Sequence, residues 1–306
     1  MYNKEDEVYH IVEPDYYEYL TTHIVRRGSR SAKFGMYAAL KCVNKKNIEL
    51  LDGILVATSL GGLKNSEDFM IQSIDNEESN LSPNYFIQSL HSTLSGNMAI
   101  ELCVKAYNIT YTNRGNAFEM ALLDASMLFN EGSKDLLIGA SDEVSDNYKK
   151  AVIKDCFLGE SLGKPYQFGE GASFFRLSKV RTKDAVSIIG VKTFYKLVDN
   201  NTFSEKIFDL LNEKEMTIED IDILISGVTN VSWFKKKSNI SPIILYKDFV
   251  GEYPTSISFA VWLGEQIIKE QSIPSLFSIE GLELVKTIMV INKYKEYESV
   301  IILSKN

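Results

Sequence analysis

The sequence predicts an α/β fold, and three observations carry that prediction. Apolar runs of strand length alternate with amphipathic helical stretches along the whole chain. The order of elements in the first half recurs more loosely in the second. The stretch at 107–128, "YNITYTNRGNAFEMALLDASML", reads as a short strand, a sharp turn at Asn113-Arg114-Gly115-Asn116 and an alanine-rich helix. A strand–turn–helix of this kind exposes a nucleophile in several enzyme folds, aimed along a helix N-terminus. Here the point of the turn is a glycine.

The elements follow in order. "GILVATS" (53–59) is a buried strand that runs into "LGGLKNSEDFM", a glycine turn and a helix start. The stretch "FIQSLHSTLSGNMAIELCVKAY" (86–107) reads as one helix with small residues on one side. "NITYT" leads into the elbow, and "DLLIGAS" (135–141) is the next strand. "GEGASFFRLS" (169–178) closes the half with a glycine turn and a strand. In the second half "AVSIIGVKTFY" (185–195) is a strand and "EKIFDLLNEKEM" (205–216) a helix. "TIEDIDILISGV" (217–228) reads as a helix N-cap followed by a buried strand. "GEYPTSISFAVWLGEQIIKE" (251–270) is a turn into a small-residue helix, and "TIMVINKYKEYESVIILS" (287–304) a closing hairpin. No low-complexity linker intervenes. The expectation is two similar halves, 1–180 and 181–306, sharing one core.

Composition narrows the function classes. With 306 residues, 45% hydrophobic and 24% charged, the chain is ordinary for a globular protein. No apolar run approaches the roughly 20 residues that cross a bilayer, and "MYNKEDEVYH" lacks the apolar stretch of a secretory signal. Cytoplasm is the expected location. Cys42, Cys103 and Cys156 are widely spaced and form neither a disulfide framework nor a zinc motif. A formal charge of −8 excludes nucleic acid as the natural partner. The one basic cluster, Arg26, Arg27, Arg30 and Lys33, reads as a solvated helix entry; contact with an acidic partner or a carried phosphate is the sharper alternative.

With these elements in place, the chain resembles the β-ketoacyl synthases. The stretches that carry the resemblance are "VATSLGGLKNSEDF", "SPNYFIQSLHSTLSGNMAIEL", "NITYTNRGNAFEMALLDASML", "LLIGASDEVSD", "GEGASFF" and "YKDFVGEYPTSISFAVWL". They recur in family order from about residue 25 to the end. The elbow and "GEYPTSISFAVWL" resemble most the divergent synthase-like subunits of aryl polyene and flexirubin pigment pathways. The resemblance implies a thiolase-like fold of two pseudo-repeated βα halves in an αβαβα arrangement. The opening strand that usually precedes this region is not recognisable, which leaves the edge of the first sheet open.

The family's chemistry uses an elbow cysteine as acyl carrier and two histidines that stabilise the enolate formed on decarboxylation. Matched motif to motif, the cysteine position falls on Gly115 and the first histidine position on Gly227. The second falls on Glu252, with Lys247 and Gly251 of the family pattern retained. The chain's histidines are His10, His23 and His91, so none follows residue 91. A carboxylate at 252 would repel an enolate, and a structural pair with Lys247 is its expected role.

Other candidates have plain readings. His91 is expected as a satisfied buried histidine, and Asp142-Glu143 as a turn cap rather than a metal ligand. Ser59 is no hydrolase elbow, and "LGG" is no phosphate loop. "NKYKEYES" (292–299) stands where the family has a glycine-rich loop, and its bulk implies a filled entrance. No cofactor is expected.

The resemblance therefore implies a non-catalytic, chain-length-factor-like subunit. It would pair with an active ketosynthase as a heterodimer, or with itself, through the strand holding Tyr111, and reach an acyl carrier protein through the partner. Phe69, Met70 and Phe86 are the candidates for shaping the partner's acyl tunnel, with ordinary core residues as the plain reading. An atypical synthase or acyltransferase, or a stand-alone acyl-binding scaffold, are the alternatives.

Overall fold

A computed structural model describes residues 3–5, 8–43, 51–154, 167–182, 184–197, 199–228, 231–232, 242–277 and 284–305. Cys156 lies outside them. The chain divides into two compact units. One comprises 1–157, 167–180 and 250–258, the other 158–166, 181–249 and 259–306.

The first unit is built on a four-stranded sheet of order β4-β3-β5-β7. Strand β3 (Gly53–Ala57) runs parallel to both β4 (Tyr107–Tyr111) and β5 (Asp135–Asp142); β7 (Gly171–Ser178) is antiparallel to β5. All five residues of β3 are buried, which is why this strand reads as an unbroken apolar run rather than an alternation. Its pleat still sorts the contacts by face. Ile54 and Val56, with Leu137 and Phe174, meet Phe34, Met36 and Leu40 of α2 (Arg30–Cys42) and Leu94 and Met98 of α5 (Thr93–Glu101). The elbow helix α6 (Ala117–Glu131) covers the sheet too, its Phe118 ring 5.9 Å from that of Phe175.

The remaining helices of this unit are α1 (Thr22–Arg27), α3 (Leu63–Asp75), α4 (Pro83–Ser89) and α7 (Asp146–Lys154). The stretch 86–107 is thus not one helix. It breaks at Leu90–Ser92, where Thr93 Oγ1 donates to the Ile87 carbonyl at 2.6 Å. A separate sheet joins β1 (Asn3–Glu5), β2 (Val8–His10) and β6 (Phe168–Gly169), so the charged N-terminus does contain strands.

The second unit carries a five-stranded sheet of order β10-β9-β11-β12-β8. Strand β9 (Ile223–Ser226) is parallel to β10 (Ile243–Leu245) and β11 (Thr287–Tyr294). Strand β12 (Tyr297–Ser304) returns antiparallel to β11 and pairs with β8 (Ser187–Tyr195). Helix α8 (Asn200–Glu213) lays Phe203, Ile207, Leu210 and Leu211 on Leu224, Met289, Ile291, Val300 and Ile302. Thr217 caps a single 3-10 turn, Ile218–Asp220, where a helix was expected. After the short helix α9 (Lys247–Val250), α10 (Ile257–Glu270) brings Gly264 against the sheet. A methyl there would lie 2.8 Å from Leu303 Cδ1.

The two sheets share one plan. A parallel edge strand, a central strand, a second parallel neighbour and an antiparallel strand recur as β4-β3-β5-β7 and β10-β9-β11-β12. Among the described residues, strand β8 has no counterpart in the first sheet, whose β7 edge is where the sequence left a strand unrecognised. The closing hairpin expected over 287–304 forms as β11 and β12, with residues 292–299 at its end and the turn at Lys295, φ +53°.

Candidate functional site

The elbow forms as its sequence predicts. Strand β4 ends at Tyr111, Arg114–Asn116 make a 3-10 turn, and α6 begins at Ala117 and ends on Gly132 in the left-handed conformation. Arg114 takes the left-handed φ of +51°, and the buried residue at the turn's centre is Gly115. It offers no side chain to attack with.

Gly227 follows β9, its N–H donating to the Ile291 carbonyl at 2.8 Å. The space a side chain would need is occupied. A methyl at 227 would lie 2.5 Å from Asn292 Oδ1 and 2.8 Å from both Tyr246 Oη and Lys247 Cε. Tyr246 Oη donates to Asn292 Oδ1 at 2.9 Å, and both residues are buried. Lys247 Nζ donates to the Lys293 carbonyl at 2.7 Å and lies over the Tyr246 ring. The structure thus gathers Gly227, Lys247, Tyr246 and Asn292 into one packed, polar knot.

Glu252 is buried in the first unit. Its backbone bridges to the β6 segment, the N–H donating to the Gln167 carbonyl at 2.7 Å and the carbonyl accepting from Gly169 N–H at 3.1 Å. This approach explains two motif glycines. A methyl on Gly251, at φ +73°, would lie 2.4 Å from the Phe168 carbonyl oxygen, and one on Gly169 would lie 1.8 Å from that of Val250.

Three buried carboxylates follow. Asp142 accepts from Thr58 Oγ1, Thr255 Oγ1 and the N–H groups of Ser59 and Leu60, all at 2.7–2.8 Å. Burial pushes its pKa up despite these donors. Glu143 bridges two helix N-termini, accepting from Ser31 N–H of α2 at 3.0 Å and Lys64 N–H of α3 at 3.3 Å. Burial pushes it up to about 7.

Sequence reasoning missed Glu170. Its side chain is fully buried and accepts from His10 Nδ1 at 3.0 Å, Ile11 N–H at 3.2 Å, Arg30 Nη1 at 2.6 Å and Val144 N–H at 3.4 Å. Burial raises this carboxyl, but the bond and charge of Arg30, then His10, draw it below its ordinary value. Arg30 also pairs with Glu13, so it is no solvated helix entry; Arg26 and Arg27 are exposed. A lone acid between the glycines of "FGEGASFF" was the available signal.

Glu143 gives a pH prediction. Its folded pKa lies above the unfolded 4.5, so its contribution is fully present below 4.5 and is lost as pH rises to about 7. Replacing it with glutamine should remove that part of the decline. Urea unfolding of wild type and Glu143→Gln at pH 5 and pH 7.5 checks this; equal slopes in both proteins would refute it.

The tunnel candidates, whose plain reading is core, divide. Phe69 is half-buried, its ring 5.6 Å from Phe86, but Met70 and Phe86 are 60% and 52% exposed. No residue of α3 is buried, because its apolar side chains point outward with those of α4. His91 is likewise exposed, in the break between α4 and α5. It borders a cavity of about 10 Å³ shared with Ser29, Ser31, Thr58, Thr93 and Ser141, room for one water. Among the described residues, no group of three or more His, Cys, Asp or Glu is placed to hold a metal, and no helix is long and apolar enough to cross a membrane.

A family model described as the N-terminal domain of beta-ketoacyl synthase matches residues 10–177. No curated protein matches the sequence. Among solved structures, a type II PKS acyl-carrier protein in complex with its ketosynthase superposes with TM-score 0.77 at 18% identity, covering 98% of this chain and 90% of that one. The ishigamide ketosynthase/chain length factor gives 0.77 at 12%, covering 97% and 87%. The ketosynthase ApeO in complex with its chain length factor ApeC, from Xenorhabdus doucetiae, gives 0.73 at 13%, covering 97% and 86%. At these identities the shared property is the fold, that of the thiolase-like ketosynthases.

Proposed function

The chain belongs to the β-ketoacyl synthase family, and from that membership we propose that it is a non-catalytic, chain-length-factor-like subunit. In this reading it pairs with an active ketosynthase in fatty-acid or polyketide-type polyene biosynthesis and shapes the partner's acyl tunnel. The observation that carries the reading is the filled space at Gly227, where Asn292, Tyr246 and Lys247 stand within 3 Å of any added side chain. A position that merely lacked a family histidine would leave a gap; here Asn292, Tyr246 and Lys247 occupy the space. Gly115 and Glu252 agree with it, one lacking a nucleophile and the other carrying a charge that repels an enolate.

The pairing half of the proposal draws on surfaces. Strand β4 is an edge of its sheet, and edges of this kind take partners. The outward apolar residues of α3 and α4 are a second surface that water covers poorly. An acyl carrier protein, itself typically acidic, would dock on the partner rather than on a subunit of charge −8. The aryl polyene and flexirubin pathways, and the cytoplasm, are where we place it.

The test is co-production with a ketosynthase that has intact Cys-His-His. The purified chain alone should neither decarboxylate malonyl carrier substrates nor form carbon–carbon bonds. Gly115→Cys should give at most acyl transfer to the new thiol, since the enolate stabilisers stay missing. Steady condensation by the wild-type chain alone would sink the proposal.

Tunnel shaping has its own expected result. Exposed in the free chain, Phe86 should lose little stability as Phe86→Ala, well short of the roughly 3–5 kcal/mol of a core phenylalanine. Phe69→Ala or Phe86→Ala, paired with the ketosynthase, should change product chain length, read by mass spectrometry. Unchanged products from both folded variants would refute the choice of residues.

A further inference from the structure

Helix α3 has no buried residue and packs chiefly on α4. A helix of 13 residues is marginal without tertiary cover, so an apolar face on it calls for a partner. Met70, Ile71 and Ile74 lie three and four residues apart on one face of α3. Phe86, Ile87 and Leu90 repeat that spacing along α4 and its C-cap. All six side chains are exposed, Ile74 by 73%. The Phe69 and Phe86 rings, 5.6 Å apart, make neighbours of the two faces, and a patch of this kind marks a protein contact.

One end of the patch carries both signs of charge. Asp75, Glu77 and Glu78 stand at the C-terminal end of α3, where the helix dipole disfavours carboxylates. Glu77 and Glu78 also take left-handed φ values of +48° and +61°, a conformation that glycine or asparagine usually supplies at a helix end. Across the turn, α4 begins beside α1, Asn84 Nδ2 donating to the Arg27 carbonyl at 3.2 Å. Arg26 and Arg27 lie in the last turn of α1. These two arginines and three carboxylates are all exposed, and none is ion-paired among the described residues. A rim that breaks helix-end preferences and leaves opposite charges unpaired points to a contact outside the chain. A bilayer matches it poorly, because residues 63–90 hold five carboxylates against one lysine and anionic lipid would repel them.

We propose that the outward face of α3 and α4 seats a second copy of this chain across a two-fold axis when no ketosynthase is bound. In a two-fold contact, whatever one copy gives the other it also receives. The apolar side chains meet at the centre and leave water. Arg26 and Arg27 of each copy reach Asp75, Glu77 and Glu78 of the other, which makes a polar rim. The same arginines then lie at the negative end of the opposite α3, where a cation is favoured. Their planar forks suit carboxylates. The tunnel reading gives this face to a ketosynthase; self-pairing needs only this chain, so either can fail without the other.

Sedimentation equilibrium of the full chain, without ketosynthase, tests it. Wild type should dimerise reversibly. Arg26→Glu/Arg27→Glu makes the rim all acidic, and Asp75→Lys/Glu77→Lys/Glu78→Lys makes it all basic. Each variant alone should self-associate at least about tenfold more weakly, the effect of setting like charges against one another. Mixed in equal amounts, the two should dimerise as tightly as wild type, because every rim contact is again between opposite charges. Ile74→Ser should weaken self-association by about tenfold as well, and at an exposed position it serves if a charge variant fails to fold. A wild type that stays monomeric overturns the inference, as do charge variants that associate like wild type or a mixture no tighter than its parts. Self-association that survives Ile74→Ser but is lost in Asn108→Pro would put the contact on the edge strand β4 and would overturn it too.

Discussion

Introducing histidine at Gly227 is expected to destabilise the protein by about 3 kcal/mol or more, the upper end of the cost of overpacking a core. The first atom of any side chain there would stand 2.5 Å from Asn292 Oδ1 and 2.8 Å from Tyr246 Oη. Neither neighbour can swing into water, because Tyr246 is fully buried and Asn292 nearly so. Moving one also breaks the 2.9 Å bond between them and leaves a buried polar group without its partner. Gly227→Ala isolates the first part of this effect and should cost less than the histidine, about 1–3 kcal/mol. Shortening the obstacle should restore part of the loss. Gly227→His combined with Asn292→Gly is expected to be more stable than Gly227→His alone, a coupling that residues in contact show and distant ones do not. Urea unfolding of the four proteins gives the comparison. A histidine variant as stable as wild type would mean the space is not filled as described, and the case against catalysis would fall back on residue identities alone.

That filled space was not legible in the sequence, and the reason is physical. Gly227 could be placed after a strand because "DILIS" is a continuous apolar run of the kind a parallel, doubly covered strand requires. What fills the space comes from Tyr246 and Asn292, which only the sheet β10-β9-β11 brings alongside it. The same division holds elsewhere. The elbow was readable because strand, turn and helix are local, and Gly132 marks the helix end. The break between α4 and α5 was not, because "SLHST" has no glycine or proline and the turn is set by the Thr93–Ile87 bond. Strands β1 and β2 were hidden for another reason. They are three residues each, β1 charged and β2 too short to show a pattern, and they exist by pairing with one another and with β6. The outward apolar side chains of α3 and α4 read as core by residue type, since an apolar helix face left toward solvent has the same periodicity as one that is buried.

Removing the Glu170 carboxylate is expected to cost about 3–5 kcal/mol as Glu170→Ala, the range for breaking a buried ion pair from one side. Four donors from three segments converge on it: His10 of β2 and the Ile11 N–H that follows it, Arg30 at the start of α2, and Val144 N–H after β5. Alanine would leave the Arg30 guanidinium with Glu13 alone and would leave the Ile11 and Val144 N–H groups without this acceptor. Glutamine keeps the volume but turns an NH₂ toward two of those donors, so Glu170→Gln should also destabilise, by less. The pH dependence identifies the charge as the cause. The folded pKa of Glu170 lies below its ordinary 4.5, so its contribution is present above 4.5 and is lost as pH falls through the folded value. Glu143 and Asp142, both shifted upward, act in the opposite sense and gain no penalty from acid. The stability gap between wild type and Glu170→Gln should therefore be widest near neutral pH and close progressively below pH 4.5. A gap that stays constant into acid would show that Glu170 holds the N-terminal segment by shape and neutral hydrogen bonds, with its charge contributing nothing.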